Sequence, residues 1–249
     1  MRGITVPSGP ELLDSWEAGQ AASDADRALL LHALARPAAD MSRLLSTPVG
    51  SRDADLLTLR ALLFGELAQV RLRCDGCAGE LEFALDIGQL LTGDGPAEGA
   101  NEPIEVALGE WTVCFRRLTP ADLLAVSQSA PADARSLLIQ RCVLKVTRDT
   151  GPAAPADLPV PVQEKLAEAV AEADPDADLR LDAPCPDCGH HTSAMVDAAS
   201  FLWAELDAWA RGTLVEVHLL ASTYGWTEPE VLALSPRRRR HYLELAGHA

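Results

Sequence analysis

Two short cysteine pairs, separated by more than a hundred residues, constrain this chain more than any other feature of its sequence. Cys74 and Cys77 form the first C-x-x-C pair, and Cys185 and Cys188 form the second. In such a turn, called a knuckle below, both thiolates point at one ion while nearby amides stabilise their charge. Two knuckles complete a tetrahedral four-sulfur shell, so we predict one structural Zn²⁺ that joins two distant stretches of chain. The closed shell leaves no position for substrate or water.

The sequences around the two knuckles are related to each other. A shift of 111 positions aligns both cysteine pairs, and it places Asp86 on Asp197, just before an apolar helix start in each half. Each half therefore reads as strand, knuckle, strand and helix, which is the plan of a zinc ribbon. We expect an α+β, mainly helical fold, in which a split zinc ribbon of two knuckle hairpins holds a helical insert and is followed by a small C-terminal helical module.

Other interpretations of the cysteines and their neighbours stay open. A four-thiolate site also accepts iron, and disulfides within each knuckle are possible on air oxidation. A thioredoxin-like redox pair would need a βαβ context, which neither knuckle has. One of His190 and His191 could be a replacement ligand or a second-shell donor, but we favour polar turn residues for both. Cys114 and Cys142 stand alone in apolar surroundings and are predicted to be small buried hydrophobes.

The composition favours a helical globular protein. Hydrophobic residues make up 48% of the chain and aromatic residues only 4%, which favours helix packing over a large β-sandwich. The net charge is −16, the opposite of what phosphate neutralisation asks of a nucleic-acid binder. No apolar run is long enough for a membrane span or a signal peptide. We therefore predict a cytoplasmic protein whose partners are neither membrane nor nucleic acid.

Helix and strand signals divide the chain into five segments. A hairpin is expected around a Gly109-Glu110 turn, a helix from about Pro131 to Leu144, and loops at 93–103 and 149–161. A long helix after the second knuckle is expected to break near Gly212. The segments are N-terminal helices (1–66), the first ribbon half (67–92), the insert of hairpin and helices (93–176), the second ribbon half with its helix (177–211) and the C-terminal helical module (212–249).

The C-terminal module holds the candidate partner-binding residues. Four successive arginines at the start of its last helix suggest either a helix-turn-helix that reads DNA or a contact with an acidic protein surface. Four arginines in a row spread around a helix, and the helix dipole disfavours cations at this end. The overall charge favours a protein contact. The candidate residues are Trp226, Arg237, Arg238, Arg239, Arg240 and Tyr242.

Sequence motifs of catalysis are missing. The chain has no G-x-G-x-x-G, no Walker-type loop, no G-x-S-x-G and no H-E-x-x-H. We therefore predict that the protein is not an enzyme. An active site assembled from scattered residues is the alternative, and a deep polar pocket with strongly shifted ionisable groups would indicate it.

Several stretches together resemble the T-even phage baseplate hub assembly chaperone family, whose relatives also occur in phage-like contractile injection gene clusters. They span most of residues 11–200, and the segment from Val215 to Leu245 looks like a small protein found beside such genes. The stretches are DRALLLHALARP, LLTLRALLFG, RLRCDGCAGELEFALD, FRRLTPADLLAV, LLIQRCV and CPDCGHH. The resemblance implies a non-enzymatic helper that keeps hub or spike components soluble or delivers them. The Pro/Ala-rich stretch at 149–161 departs from the family pattern.

Overall fold

Helices and small antiparallel sheets make up the described part of the chain, residues 3–90 and 102–247 of a computed structural model, and they confirm the predicted α+β class. Most of the loop expected at 93–103 lies outside these residues. The helices are α1 (Gly9–Gly19), α2 (Asp24–Ala35), α3 (Met41–Ser46), α4 (Val49–Phe64), α5 (Pro120–Ser127), α6 (Pro131–Cys142), α7 (Val160–Ala173), α8 (Ala198–Tyr224), α9 (Glu228–Leu232) and α10 (Pro236–Leu245). The strands are β1 (Leu67–Arg73), β2 (Glu80–Asp86), β3 (Ile104–Leu108), β4 (Trp111–Phe115), β5 (Val143–Arg148), β6 (Gly151–Ala153), β7 (Arg180–Pro184) and β8 (His191–Met195).

The largest core joins the N-terminal helices to α8. Apolar residues of α1, α2 and α4 pack against the first half of α8, and the outer ends of the knuckle hairpins enter the same core. Burial of this apolar surface is the main force that holds the two knuckle hairpins against the helices. The residues buried deepest in it are Leu31, Ala35, Leu56, Leu57, Leu59, Ala68, Ile87, Ala198, Leu202 and Leu206.

The insert has a core of its own. Its sheet has the order β3-β4-β5-β6, and one face packs against α6 and α7. The predicted hairpin is confirmed, because Leu108 pairs with Trp111 across a two-residue turn in which Gly109 has a φ of 58°. This core is formed by Val113, Phe115, Val143, Val146, Leu158, Val162 and Leu166.

Two predictions for the insert are wrong. The helix expected to reach Leu144 ends at Cys142, because β5 begins at the next residue and pairs with β4. The stretch 149–161 is not all loop. Gly151, with a φ of 132°, begins the short edge strand β6, and a 3₁₀ turn over Pro155–Asp157 follows. Proline is tolerated in β6 because an edge strand leaves one row of amides unpaired.

A carboxylate fastens the insert to the N-terminal helices. Helix α4 has no side-chain cap of its own, and the buried amide of Gly50 in its first turn donates to Asp174 Oδ2 at 2.9 Å. A Cβ on Gly50 would overlap the Asp174 carboxylate, so this position requires glycine. Burial raises the pKa of Asp174, and the Gly50 amide opposes that rise. Asp174 thus supplies the missing N-cap of α4 from more than a hundred residues away.

The helix that follows the second knuckle does not break at Gly212. Helix α8 runs unbroken over 27 residues and spans both sides of the predicted segment boundary at 211/212. A single exposed glycine costs a helix only about 1 kcal/mol, and the buried neighbours Ala210 and Thr213 pack on either side of it. Helices α9 and α10 pack on the far end of α8, and their shared core contains Val217, Leu220, Val231 and Leu243.

Candidate metal centre

The two knuckles sit at the tips of two antiparallel hairpins with the same backbone pattern. In the first hairpin the amide of Cys74 donates to the carbonyl of Gly79 at 2.8 Å, and in the second the amide of Cys185 donates to the carbonyl of His190 at the same distance. Strand pairing runs without interruption up to both knuckles, from Leu67 opposite Asp86 and from Arg180 opposite Met195. Each hairpin is therefore a rigid support that fixes where its two thiols point.

The four knuckle cysteines come together in one cluster. Cys74 Sγ lies 3.6 Å from Cys188 Sγ, and Cys77 Sγ lies 3.7 Å from Cys185 Sγ. All four sulfurs lie within 4.8 Å of one another. A tetrahedral ion with bonds of about 2.3 Å to sulfur needs sulfurs about 3.8 Å apart, whereas a disulfide needs about 2.05 Å. The four thiols are free, and their spacing suits a shared metal ion.

An approximate two-fold axis relates the two halves of the cluster. The shift of 111 positions that aligns the knuckles turns the pair Cys74–Cys188 into the pair Cys185–Cys77, which has almost the same sulfur separation. Burial follows the same two-fold relation. The first cysteine of each knuckle is buried, with Cys74 2% and Cys185 3% exposed, and the second cysteine of each is exposed. The internal repeat seen in the sequence is therefore also a repeat in space.

The residues beside the cysteines touch across the same axis. A Cβ on Gly76 of the first knuckle would lie 2.9 Å from Cβ of His190, and a Cβ on Gly79 would lie 3.3 Å from Oδ2 of Asp187. The two contacts are equivalent under the shift. His190 and His191 are exposed, and among the described residues the only group of possible metal ligands is the four cysteines.

One pair of equivalent positions breaks the symmetry in a complementary way. The amide of Asp75 donates to the hydroxyl of the buried Thr192 at 3.3 Å. The equivalent position in the second knuckle is Pro186, which has no amide hydrogen, and the residue that would face it is the buried Leu81. A buried hydroxyl therefore occurs where a donor faces it and an apolar side chain where none does. The exchange of Asp75 for Pro186 and of Leu81 for Thr192 is visible in the aligned halves, so this contact could have been predicted from the sequence.

Backbone amides prepare one thiol for metal binding. The amide of Cys77, helped by that of Gly76 at 3.3 Å from Cys74 Sγ, lowers the pKa of Cys74 to about 6 against the effect of burial. The amide of His190 likewise lowers the pKa of Cys188, but burial and the neighbouring thiols outweigh it and raise that pKa to about 12. Because metal ligands are thiolates, metal binding displaces a proton from a thiol with a raised pKa such as Cys188.

The conformation of the residue after each knuckle gives a test of the two-fold relation. Ala78 and Gly189 are equivalent, and both are left-handed, with φ of 61° and 71°. Because only glycine adopts this conformation without strain, we expect Ala78→Gly to stabilise the metal-loaded protein by about 0.5–1 kcal/mol and Gly189→Ala to destabilise it by about 1–2 kcal/mol. Urea unfolding measures both. Ala107→Gly in strand β3, where φ is not left-handed, is the control and should destabilise; stabilisation there too would contradict the explanation.

Comparisons with protein-family models, with curated proteins and with solved structures found no match to this chain. The cysteine cluster thus stands on its own geometry. None of the described helices is both long and apolar enough to cross a bilayer.

The remaining candidate residues lie at the other end of α8 from the cysteines. Trp226 and Tyr242 are half-buried in an aromatic group with Tyr224, whose ring stacks on Trp226 at 4.7 Å. Arg239 is 6% exposed, and its guanidinium donates to Glu216 Oε2 at 2.7 Å and to the carbonyl of Leu234. Arg239 is therefore engaged within the module. The arginines on the surface are Arg237, Arg238 and Arg240.

The lone cysteines lie in the insert, away from the cluster. Cys142 is buried and Cys114 half-buried, and burial, followed by the nearby charge of Asp122, raises the pKa of Cys142 to about 11. A thiol with that pKa is inert at neutral pH.

A cavity of about 390 Å³ lies between α3 and α5. It is lined in part by Arg116 and Thr119, and the side chains of both residues bind Asp122.

Proposed function

We propose that the four cysteines hold one structural Zn²⁺ and complete a split zinc ribbon, and that the protein is a non-enzymatic assembly chaperone or adaptor for the baseplate hub of a phage tail or phage-like contractile injection system. The observation that supports the proposal is the cluster of four thiols, whose sulfurs are close enough to hold one metal ion. An ion with four sulfur ligands would have no position left for a substrate. A metal held in this way stabilises a scaffold on which other surfaces bind partners.

Zinc suits the cluster better than the other metals. It has no redox chemistry and no geometric preference of its own, and it adopts the tetrahedral four-sulfur shell of structural sites. Iron in the same shell is the competing occupant. Elemental analysis of protein purified under reducing conditions should find one zinc per chain and a colourless solution. A coloured protein with visible thiolate-to-iron absorption would identify the bound metal as iron instead of zinc.

The assembly role is supported by the family resemblance and by the acid excess of the chain, which keeps a carrier protein in solution and favours basic partner surfaces. The test is co-expression with any hub, spike and tube proteins of a contractile particle that the same genome encodes. We expect a hub or spike protein to co-purify with the chain and to stay soluble in its presence, whereas a sheath protein serves as the negative control. Failure of every baseplate component to bind, with the chain folded and zinc-loaded, would contradict the assignment.

A zinc-ribbon nucleic-acid-binding or transcription regulatory protein is the second candidate, favoured by the exposed arginines at the start of α10. It predicts salt-dependent affinity for duplex DNA. A flat fluorescence titration of labelled duplex at low salt removes this candidate.

A further inference from the structure

The first turn of α10 carries a cluster of exposed positive charge. Arg237, Arg238 and Arg240 are all exposed, and Arg237 and Arg240 are three positions apart, which places them side by side on the helix. Arg239, between them, points the other way into its ion pair with Glu216. One of the four arginines therefore contributes to the packing of the helix, and the other three are exposed to solvent.

This cluster is electrostatically uncompensated. No carboxylate of the described residues pairs with any of the three arginines, although the chain has 37 acidic residues against 21 basic ones. The amides of the first helical turn add partial positive charge at the same place. Like charges three or four positions apart, at the end of the helix that disfavours cations, lower the stability of the free protein. An anionic partner would remove this cost.

An apolar stripe extends from the cluster along α10. Arg238, Tyr242 and Leu245 are spaced by four and three positions and therefore share one face of the helix. Leu245 is 67% exposed, and Tyr242 is half-exposed with its ring 4.9 Å from that of Trp226. Arg237 and Arg240 lie beside this face, further round the helix, so the five residues together cover about half of its circumference. The surface of Arg237, Arg238, Arg240, Tyr242 and Leu245, named the α10 surface below, is basic at the start of the helix and apolar towards its end.

The neighbouring helix disfavours DNA as the occupant. In a helix-turn-helix, the helix before the recognition helix crosses the phosphate backbone. Here that helix is α9, and its charged residues are Glu228 and Glu230, with no lysine or arginine. Both glutamates are exposed, although Glu230 is engaged in the capping box with Thr227. A phosphate backbone laid across α9 would therefore meet negative charge.

We propose that the α10 surface is the docking site for an acidic, amphipathic peptide segment of the partner protein. The three guanidiniums bind its carboxylates, and Tyr242 and Leu245 cover its apolar side chains. The inference rests on the proposed function for the existence of a protein partner, and it adds the chemistry of the segment that is bound.

The test uses the full zinc-loaded chain and a fluorescein-labelled synthetic peptide built from Glu, Leu and Ala with helical amphipathic spacing. We expect binding that weakens with salt, seen as a rise in anisotropy. The triple variant Arg237→Gln, Arg238→Gln, Arg240→Gln should weaken binding about 10-fold. The matched control Arg43→Gln, Arg71→Gln, Arg135→Gln makes the same change in net charge at exposed positions elsewhere and should bind like the wild type. Leu245→Ser should weaken binding about 3-fold, because the exposed side chain contributes contact area and little folding stability.

Three outcomes of the peptide experiment would overturn the inference: no binding of the peptide, an equal loss in the control triple, or tighter binding of a 20-base-pair duplex than of the peptide. Capture of hub proteins by the wild type and the triple variant separates this inference from the proposed function. If both capture a hub protein, the function stands and the α10 surface is not its site. If the peptide binds through the arginines and no hub protein is captured, the docking chemistry stands and the baseplate role fails.

Discussion

Cys74→Ser and Cys185→Ser are each expected to release the bound metal and to lower the melting temperature by about 8–16 °C. Both cysteines are almost fully buried between the hairpins. Because the four-cysteine site exists only in the folded state, the free energy of metal binding adds to the free energy of folding. We expect each variant to lose about 4 kcal/mol of folding free energy, less than the total that a structural metal contributes. In a chain of this size, each kcal/mol of that loss lowers the melting temperature by about 2–4 °C. Scanning calorimetry and elemental analysis on the same samples measure the two effects.

The control for the cysteine variants is Cys114→Ser. This thiol is half-buried and lies outside the cluster, so its loss should leave the metal content at the wild-type value and change the melting temperature only slightly. A chelator added to the wild type should reproduce the effect of Cys74→Ser and should have no further effect on that variant. Full metal content with an unchanged melting temperature in Cys74→Ser would disprove the proposal that the four cysteines hold a structural metal ion.

The second large effect is expected at Asp122, which joins α5 to α6 and to Arg116, the residue that follows strand β4. Its carboxylate has no solvent exposure, and it accepts from Arg116 at 2.6 and 2.9 Å, from Arg141 at 2.9 Å and from the hydroxyl of Thr119 at 2.8 Å. Removing one partner of a buried ion pair costs about 3–5 kcal/mol, because the other charges stay behind without compensation. Both arginines are about one-third exposed, so we expect Asp122→Ala to cost about 3 kcal/mol in urea unfolding.

The same carboxylate predicts a pH dependence. Burial raises the pKa of Asp122, but the hydrogen bonds from Arg116 and Thr119 outweigh it and bring the pKa from its usual 3.8 to about 2. Because the folded state has the lower pKa, the stabilisation is complete above about pH 4 and is lost as the pH falls towards 2. The difference in unfolding free energy between the wild type and Asp122→Asn should shrink across that window. A difference that stays constant between pH 6 and pH 2 would mean that Asp122 acts through packing alone.

Local signals in the sequence predicted the local structure, and the two matching cysteine pairs predicted one contact between distant segments. The Gly109 turn predicted the hairpin, because a few adjacent residues determine it. The two knuckles predicted the four-cysteine cluster, because four thiolates complete one tetrahedral shell wherever they stand in the chain. Distant contacts without such a signal could not be predicted. Asp174 as the cap of α4 was out of reach, since its partner Gly50 lies more than a hundred residues away in the chain. Arg239 looked like its three neighbours until tertiary packing brought Glu216 to it. The expected break at Gly212 was wrong for the same reason, because packing on both sides outweighed a weak propensity.

The way the chain is divided between its two main cores has a consequence for the order of folding. The insert core uses residues from Ile104 to Val170, and most of its contacts join strands and helices that are close in the chain. The larger core needs α1 and α8 together, so it cannot close until residues as far as Leu206 are available. Contacts over such long loops form slowly, because the loop-closure entropy is lost before the contacts compensate for it. We therefore expect the insert to fold first. The N-terminal helices and the first knuckle reach their final positions only when the second knuckle and α8 are in place.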